Sequence, residues 1–341
     1  MDLKKNGNNG PREQLQLLGF GEPNEVVQLG IAGKDVLKDD DVLVSMEAAP
    51  IHLSDLMLVR GVYGVKPSFP APLGAEGVGI ITAIGARADA GLIGKRVLIL
   101  PMYSYGTWAA KVIVPQQYVV PVSDTTDALQ LAQLSINALT AYLLLKNYAP
   151  LMPGDWIGQT AANSAVGQYV IALAKLMGLK TMNVVRSAES AELIKNLGGD
   201  AVALTGDDLE AQIKDGLNGE QLSLVLDTVG GSTIGDLAKF SKSGTPIVGY
   251  SSENRQTPVI APADLFYRRL SYHGFWVIDW LRNTPEAEID LSIRRLDKLV
   301  GEGKLHATVG GTYRLDQYKE AFASAQQRGR KGKFFFTFND Q

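Results

Sequence analysis

A short segment of small residues is the first place in this chain where residue types and spacing suit chemistry. It follows an apolar stretch at residues 155–159 and contains Ala162, Ser164 and Gly167, which hold the spacing of a G-x-G-x-x-G motif with two of its glycines replaced. Small residues at these positions let a backbone turn approach a pyrophosphate, which then lies at the N-terminus of the following helix. The segment therefore predicts a dinucleotide-binding turn.

Arg186 indicates which dinucleotide such a turn would serve. Residues 168–178 have helical periodicity and end in glycine, and residues 180–185 form a β-rich run that leads directly into Arg186 and Ser187. At the end of this second strand, an NAD site usually carries an acidic residue, whereas a guanidinium suits the 2′-phosphate of NADP. We therefore expect NADPH as the cofactor. The alternative is that Arg186 is an ordinary solvated arginine.

The chain has no cysteine and only three histidines among its 341 residues. The absence of cysteine excludes disulfides, thiolate nucleophiles and thiolate metal ligands. The histidines are too scattered to form the close-spaced pair that metal sites use, since they lie at His52, His273 and His306. We therefore expect no metal site.

The composition is that of a globular protein and excludes several other classes. Hydrophobic residues make up 45% of the chain, charged residues make up 20%, and the formal net charge is -3. This charge provides no basic field for nucleic acid, and no apolar run is long enough to span a bilayer. The first residues lack the apolar core of a signal peptide. We expect a cytoplasmic enzyme that binds neither nucleic acid nor membranes.

The pattern of elements predicts two domains. Residues 15–120 consist of short β-rich segments punctuated by glycine and proline, which is typical of a mostly antiparallel, barrel-like domain. From about residue 125, helices and strands alternate, as in a doubly wound parallel α/β sheet of the Rossmann type. The predicted β-rich catalytic domain consists of residues 1–124 and 266–341. The predicted nucleotide-binding domain consists of residues 125–265.

The C-terminal section is predicted to return to the first domain. It contains a β run at residues 270–277, a helical stretch at 286–300 and a final β run at 333–338. We therefore assign all three segments to the β-rich catalytic domain.

The order of the domains and several groups of residues resemble the medium-chain dehydrogenase/reductase superfamily, in which a GroES-like catalytic domain accompanies a Rossmann domain. The resemblance rests first on residues 54–64 and 70–79. Residues 163–167 and 183–186, with a Phe-Trp pair at 275–276 after a glycine, are similar to the 2-enoyl-thioester reductases of mitochondrial fatty-acid synthesis.

The resemblance is to the zinc-free members of the superfamily. Zinc-dependent members carry a metal-binding histidine in a Gly-His-Glu triplet, where this chain has Gly74, Ala75 and Glu76. Without a Lewis acid on the substrate oxygen, the implied chemistry is hydride addition to an already activated double bond. The resemblance thus implies reduction of an enoyl thioester of coenzyme A or acyl carrier protein. A quinone or enone reductase and a non-catalytic NADPH-binding module are the alternatives.

The resemblance also implies roles for individual residues. Tyr63 would be the proton donor, because enoyl reductases carry theirs in this Gly-x-Tyr-Gly setting and a phenol, with an ordinary pKa of about 10, stays protonated at neutral pH. The alternative is that Tyr63 only closes a loop over the cofactor. The implied cofactor contacts are Asn137, Asn163, Ser164, Ala165, Val166, Gly167, Arg186, Ser187, Tyr250, Ser251, Phe275, Trp276, Val277 and Lys333.

Some of these residues have other interpretations. Phe275 and Trp276 can equally be core residues. Enoyl reductases commonly have asparagine where this chain has His52, which is either a second proton-handling group or a structural residue.

Two features bear on partners. A set of basic residues is a candidate surface for the phosphates of coenzyme A or a carrier protein, namely Arg268, Arg269, Arg328, Arg330 and Lys331. Zinc-free relatives often join the edge strands of their nucleotide domains, and two-fold dimers are the commonest oligomers. We therefore expect a homodimer.

Overall fold

The computed structural model describes residues 12–33, 36–251, 256–327 and 329–338. Contacts divide the chain into two compact units. The described residues of unit 1 fall within residues 1–136, 284–303 and 308–341, and those of unit 2 fall within residues 137–283 and 304–307.

The strands are β1 (Glu13–Leu17), β2 (Val27–Ile31), β3 (Asp41–Pro50), β4 (Ala71–Pro72), β5 (Gly77–Ile84), β6 (Arg96–Ile99), β7 (Lys111–Pro115), β8 (Val119–Pro121), β9 (Trp156–Thr160), β10 (Lys180–Val185), β11 (Ala201–Leu204), β12 (Leu222–Asp227), β13 (Pro246–Gly249), β14 (Ser271–Gly274), β15 (Val309–Tyr313) and β16 (Lys333–Thr337).

The α-helices are α1 (Pro23–Val26), α2 (Leu53–Val59), α3 (Ala128–Leu131), α4 (Leu139–Asn147), α5 (Ala165–Leu176), α6 (Ala188–Asn196), α7 (Leu209–Leu217), α8 (Thr233–Lys239), α9 (Pro262–Phe266), α10 (Val277–Asn283), α11 (Glu286–Gly301) and α12 (Tyr318–Gln326). A short π-helix, Leu134–Ala138, precedes α4.

Unit 1 is built from β-sheets whose strands are mostly antiparallel, which confirms the predicted fold class. A three-stranded sheet has the order β2-β1-β4, and a seven-stranded sheet has the order β15-β16-β3-β5-β6-β8 with β7 paired to β3. Alternation in the sequence explains the burial: Leu15 and Leu17 of β1 are fully buried, whereas the alternating residues Gln14 and Gln16 are only partly buried.

Unit 2 contains the predicted doubly wound parallel sheet. Its six strands have the order β11-β10-β9-β12-β13-β14, and every neighbouring pair is parallel. The strand order reverses between β9 and β12, because β10 and β11 extend to one side of β9 and the later strands extend to the other. Ligands of such sheets bind outside the carboxyl ends of the strands at this reversal.

The unit boundaries differ from the predicted ones. The β run predicted at residues 270–277 and assigned to the catalytic domain is shorter in the structure, where it forms β14. Strand β14 pairs in parallel with β13 and is an edge strand of the nucleotide sheet. The chain returns to unit 1 at Thr284 rather than at residue 266, and residues 125–136 also belong to unit 1. Local pattern identifies a strand, but the sheet that the strand joins depends on long-range pairing that periodicity does not encode.

No helix within the described ranges is both long enough and apolar enough to cross a bilayer. The cytoplasmic location stays a prediction.

Candidate functional site

The turn between β9 and α5 has the geometry of a dinucleotide-binding turn. Ala161 adopts a left-handed backbone conformation with φ 47°, and the Ser164 hydroxyl caps α5 by accepting a hydrogen bond from the Gly167 N–H at 3.2 Å. A Cβ on Gly167 would lie 2.4 Å from the carbonyl oxygen of Ala162. The third glycine of the motif is therefore required for the helix to pack this closely on the turn, whereas the first two positions accept Ala162 and Ser164.

Most predicted cofactor residues of unit 2 lie at one edge of its sheet. Residues 163–167 follow β9, Arg186 and Ser187 follow β10, residues 250–251 follow β13, and residues 275–276 follow β14. Because the strands are parallel, their carboxyl ends meet at the same edge, which is where the strand order reverses. The structure thus brings these residues to one side of the sheet.

The Tyr250 hydroxyl at this edge fits a dinucleotide phosphate. The Tyr250 hydroxyl is buried, has no hydrogen-bond partner in the described chain, and lies beside the Ser164 cap of α5 and beside Thr228. Burial raises the pKa of Tyr250 well above the ordinary value for a phenol, and the charge of Asp227 adds to the effect, so the hydroxyl remains a donor. A buried donor at a helix N-terminus suits a phosphate oxygen.

The position of Arg186 suits a residue that binds the 2′-phosphate of the cofactor. Its side chain is exposed directly after β10, and in the part of the chain that the structure describes it has no hydrogen-bond or ion-pair partner. Ser187 is used locally, because its hydroxyl caps α6 by accepting from the Ser190 N–H at 3.2 Å. These residues therefore fit NADPH, and their contacts with it stay predictions.

The other predicted contacts in unit 2 are packed against the protein. Asn137 and Val277 are buried. The Phe275 ring meets the Tyr148 ring edge-on at a centroid distance of 6.4 Å, and the Arg282 guanidinium lies 5.6 Å from the centre of the Trp276 ring. Both rings of the Phe-Trp pair are only partly buried, and their contact with the cofactor stays a prediction.

Asp227 lies at the same carboxyl edge of the sheet and was not predicted from the sequence. It ends β12 as a fully buried carboxylate, and its Oδ1 accepts hydrogen bonds from Thr160 Oγ1 at 3.1 Å and from the N–H groups of Val229 and Gly230 at 3.0 Å. Tyr272 donates its hydroxyl to Oδ2 at 3.1 Å. Asp227 therefore ties the ends of β9, β12 and β14 together. Its signal was an acid at the end of an apolar strand followed by Thr-Val-Gly-Gly.

In unit 1, titratable side chains are buried around the start of α2. His52 is the N-cap residue, and its Nε2 lies 2.7 Å from Glu76 Oε1. Lys333 Nζ lies 3.1 Å from His52 Nδ1, and Asp55 Oδ2 accepts the His52 N–H at 2.8 Å. The second Glu76 oxygen accepts from the Ser135 hydroxyl and the backbone N–H of residue 136.

These contacts determine the tautomer of His52. An ammonium only donates, so Lys333 donates to Nδ1, and the ring proton must lie on Nε2, where it is donated to Glu76. Burial lowers the pKa of His52 well below its ordinary value, and the charge of Lys333 lowers it further. His52 is therefore neutral at physiological pH, which favours the structural role over the proton-handling role.

The other buried groups titrate close to neutrality. Burial raises the pKa of Asp55 to about 7 and that of Glu76 to about 8, while it lowers the pKa of Lys333 to about 8. Asp55 Oδ1 is buried without a hydrogen-bond partner among the described residues. The Lys333 ammonium contacts the His52 ring and the Ile51 carbonyl, the latter at 3.4 Å. Its predicted contact with the nucleotide would have to be made in addition to these two contacts.

Tyr63 lies close to a second tyrosine that sequence reasoning missed. Its side chain is half-buried, and its ring centroid is 5.3 Å from that of Tyr103 at an interplanar angle of 54°. The Tyr103 hydroxyl donates to Ser54 Oγ at 2.9 Å, and Ser54 belongs to α2. The helix that carries Asp55 thus also holds the neighbour of the predicted proton donor. No local pattern marks Tyr103.

The predicted basic surface is divided between the two units. Arg268 is engaged internally, since it binds Asp264 at 2.8 Å and the Ala238 carbonyl at 2.9 Å. Arg269 and Lys331 are exposed, Arg330 is half-buried, and Arg328 lies outside the described residues. A role in binding coenzyme A or a carrier stays a prediction for the exposed members.

The described residues contain no group of three or more histidine, aspartate or glutamate side chains arranged to hold a metal ion. A zinc-free enzyme stays the prediction.

Comparison with known proteins places this geometry in context. The family model described as the alcohol dehydrogenase GroES-like domain matches residues 38–124, and the model described as zinc-binding dehydrogenase matches residues 165–294. The mitochondrial enoyl-acyl-carrier-protein reductase of Rattus norvegicus is 32% identical over 313 residues, which are 90% of this chain and 83% of that protein.

Solved structures share the fold. A proposed NADPH:quinone reductase from Bacillus thuringiensis is 28% identical with a TM-score of 0.88, over 96% of this chain and 98% of that one. A complex of Etr1p with NADP and crotonyl-CoA has a TM-score of 0.85 at 23% identity, over 96% of this chain and 100% of that one.

The buried carboxyl of Asp55 predicts a pH dependence of stability. Its pKa of about 7 lies above its ordinary value of 3.8, so the folded chain binds this proton more tightly than the unfolded chain, and the protein loses stability as pH rises from 3.8 to about 7. In Asp55→Asn, whose amide oxygen can still accept the His52 N–H, the melting temperature should fall less across this range. Asp207→Asn, at an exposed position, is the control and should behave like the unchanged protein; equal slopes in all three proteins would contradict the assignment.

Proposed function

Because the chain belongs to the medium-chain dehydrogenase/reductase superfamily and has enoyl-acyl-carrier-protein reductases among its relatives, we propose that it reduces the carbon–carbon double bond of 2-enoyl thioesters. The observation that carries the proposal is the 32% identity to a reductase named for that reaction, over 90% of this chain. The enzyme is an oxidoreductase with NADPH as its cofactor. Arg186 and the α5 N-terminus are the residues we propose to hold it.

The proposed chemistry needs a proton donor from the protein. NADPH, when bound, supplies the hydride that adds to the β-carbon of the enoyl group. Negative charge then develops on the thioester carbonyl, and the α-carbon requires a proton. We assign this proton to the Tyr63 hydroxyl, and water reprotonates the resulting phenolate.

The buried groups of unit 1 support Tyr63 indirectly. The hydrogen bond between Asp55 and the His52 N–H fixes the first turn of α2, and Ser54 on that turn binds Tyr103, the ring neighbour of Tyr63. The half-buried Tyr63 side chain is therefore supported, through Tyr103 and the partly buried Ser54, by the buried residues His52 and Asp55.

A quinone or enone reductase is the second candidate function. The observation that favours it is the TM-score of 0.88 with a proposed NADPH:quinone reductase at 28% identity, over nearly the whole of both chains. The same Tyr63 proton donor and the same Arg186 phosphate ligand would serve either substrate, so the two functions differ in the acceptor that is reduced.

We also propose that the enzyme is a homodimer joined through the edge of the nucleotide sheet. Strand β14 ends that sheet, and its unpaired side presents backbone groups suited to a partner strand. Just before β14, the side chains of Phe266 and Tyr267 are 73% and 85% exposed, respectively. Large apolar side chains that are this exposed beside an open sheet edge suit an interface with a second copy.

Replacing Tyr63 tests the proposed proton donor. Tyr63→Phe keeps the ring and removes the hydroxyl, so turnover of a 2-enoyl-CoA should fall by about 10²–10⁴-fold, the usual contribution of general acid catalysis. NADPH affinity should change little, as measured by fluorescence titration. Tyr118→Phe, at a tyrosine whose ring contacts Tyr105, is the matched control and should keep its activity; retention of activity by Tyr63→Phe would remove Tyr63 from the mechanism.

Replacing Arg186 tests the choice of cofactor. Arg186→Ala should raise the Kd for NADPH by about 10-fold or more, because a charge-assisted hydrogen bond to phosphate is lost, while the Kd for NADH should stay nearly constant. Arg294→Ala, which removes an exposed arginine of α11, provides the control. Equal weakening of the two nucleotides would rule out a contact between Arg186 and the 2′-phosphate.

A charge on the exposed apolar surface tests the dimer. The unchanged protein should have the mass of two chains in light scattering after size-exclusion chromatography. Phe266→Lys should shift it toward a single chain, since an unpaired charge in an interface is costly. Leu291→Lys, at a residue 69% exposed on α11, should leave the mass unchanged. A monomeric unchanged protein, or a dimer that tolerates Phe266→Lys, would contradict this interface.

A further inference from the structure

Tyr103 holds a conformation that few residues of its type adopt. Its backbone lies in the left-handed region with φ 55°, where a side chain with a Cβ is strained, and its ring is buried. Such strain persists only where surrounding contacts over-determine it, and it concentrates at functional sites. The contacts at Tyr103 are the hydrogen bond to Ser54 at 2.9 Å and the ring contact with Tyr63 at 5.3 Å.

The Tyr103 hydroxyl keeps its proton at all pH values relevant to activity. Burial raises its pKa well above the ordinary value for a phenol, and the nearby charge of Asp55 and the interactions with Tyr63 raise it further. Tyr103 is therefore a permanent hydrogen-bond donor. Beyond these neighbours, the charged or titratable groups that border Asp55 are His52, Glu76 and Lys333.

A single hydroxyl proton at Tyr103 has two acceptors within reach. In the structure it is donated to Ser54 Oγ, and the Tyr63 hydroxyl is a further hydrogen-bond neighbour of Tyr103. A hydroxyl proton rotates to the better acceptor, and a phenolate is a far better acceptor than a serine hydroxyl. The position of the Tyr103 proton should therefore depend on whether Tyr63 is protonated.

We propose that Tyr103 is a positioning residue for Tyr63, and that its hydroxyl turns from Ser54 to the Tyr63 oxygen when Tyr63 gives up its proton. This inference rests on the proposed function of Tyr63 as proton donor. Proton transfer breaks the Tyr63 O–H bond and forms a C–H bond at the substrate α-carbon, leaving a phenolate. Tyr103 keeps its own proton and donates a hydrogen bond, and water later returns a proton to Tyr63.

The proposed pairing makes Tyr63 a stronger acid. A hydrogen bond from Tyr103 stabilises the Tyr63 phenolate but not the protonated phenol to the same degree, because charge-assisted hydrogen bonds are about twice as strong as neutral ones. Removing the Tyr103 hydroxyl should therefore make Tyr63 retain its proton to higher pH. Removing Ser54 should have the opposite effect, because Tyr103 would then have Tyr63 as its remaining acceptor.

The test compares pH profiles. In Tyr103→Phe, kcat for 2-enoyl-CoA should fall by about 10-fold, and the upper pH limit of activity should rise by about one unit, as expected for one charge-assisted hydrogen bond. In Ser54→Ala, the limit should move to lower pH. Tyr105→Phe, which alters a tyrosine stacked near Tyr118, should change neither quantity. A lower kcat with an unmoved pH limit would reduce Tyr103 to a structural residue and overturn the proposal.

A titration without substrate separates this proposal from the proposed function. The absorbance change of Tyr63 on deprotonation is obtained by subtracting the titration of Tyr63→Phe, first with Tyr103 present and then in the Tyr103→Phe background. A titration of Tyr63 that moves to higher pH supports the pairing even if no thioester is reduced, in which case the proposed function fails alone. An unchanged titration overturns the pairing. If Tyr103→Phe does not fold, the downward shift expected in Ser54→Ala decides the question.

Discussion

The buried hydrogen bond between His52 and Glu76 is the interaction on which the unit 1 site depends. Glu76 is fully buried, and its two oxygens accept hydrogen bonds from the His52 ring, the Ser135 hydroxyl and a backbone N–H. A buried carboxyl group without such hydrogen-bond partners would be costly, so these contacts stabilise one another. They fix the N-terminus of α2, and α2 in turn holds Ser54 against Tyr103 beside the proposed proton donor.

Unit 2 depends on a different constraint, the close approach of α5 to the turn that follows β9. A side chain at Gly167 would collide with the Ala162 carbonyl, so the glycine sets how near the helix start can come. The helix N-terminus then lies at the carboxyl edge of the parallel sheet, where Arg186 directly follows β10. The G-x-G-x-x-G spacing, with its first two glycines replaced, therefore keeps the one glycine that packing requires.

Local sequence features predicted more of this protein than long-range ones. The β9–α5 turn, the position of Arg186 and the mostly antiparallel first unit followed from spacing and periodicity. The sheet that β14 joins could not be predicted in this way, because parallel pairing with β13 is a long-range contact. Tyr103 was missed for the same reason, since only the folded chain brings it to Tyr63. Glu76 was singled out in the sequence only because the residue before it is not the metal-binding histidine of zinc-dependent members. Nothing in the sequence indicated that Glu76 is buried.

The proposed reduction of enoyl thioesters can be measured first as NADPH oxidation by the unmodified protein, followed by the loss of the absorbance of the reduced nicotinamide. Crotonyl-CoA, longer 2-enoyl-CoA substrates and a panel of small quinones are compared under the same conditions, each with NADPH and with NADH. We expect rapid oxidation of NADPH with the enoyl thioesters, slower oxidation of NADH, and a saturated thioester as the product. Turnover of quinones with none of the enoyl thioesters would contradict the proposed function.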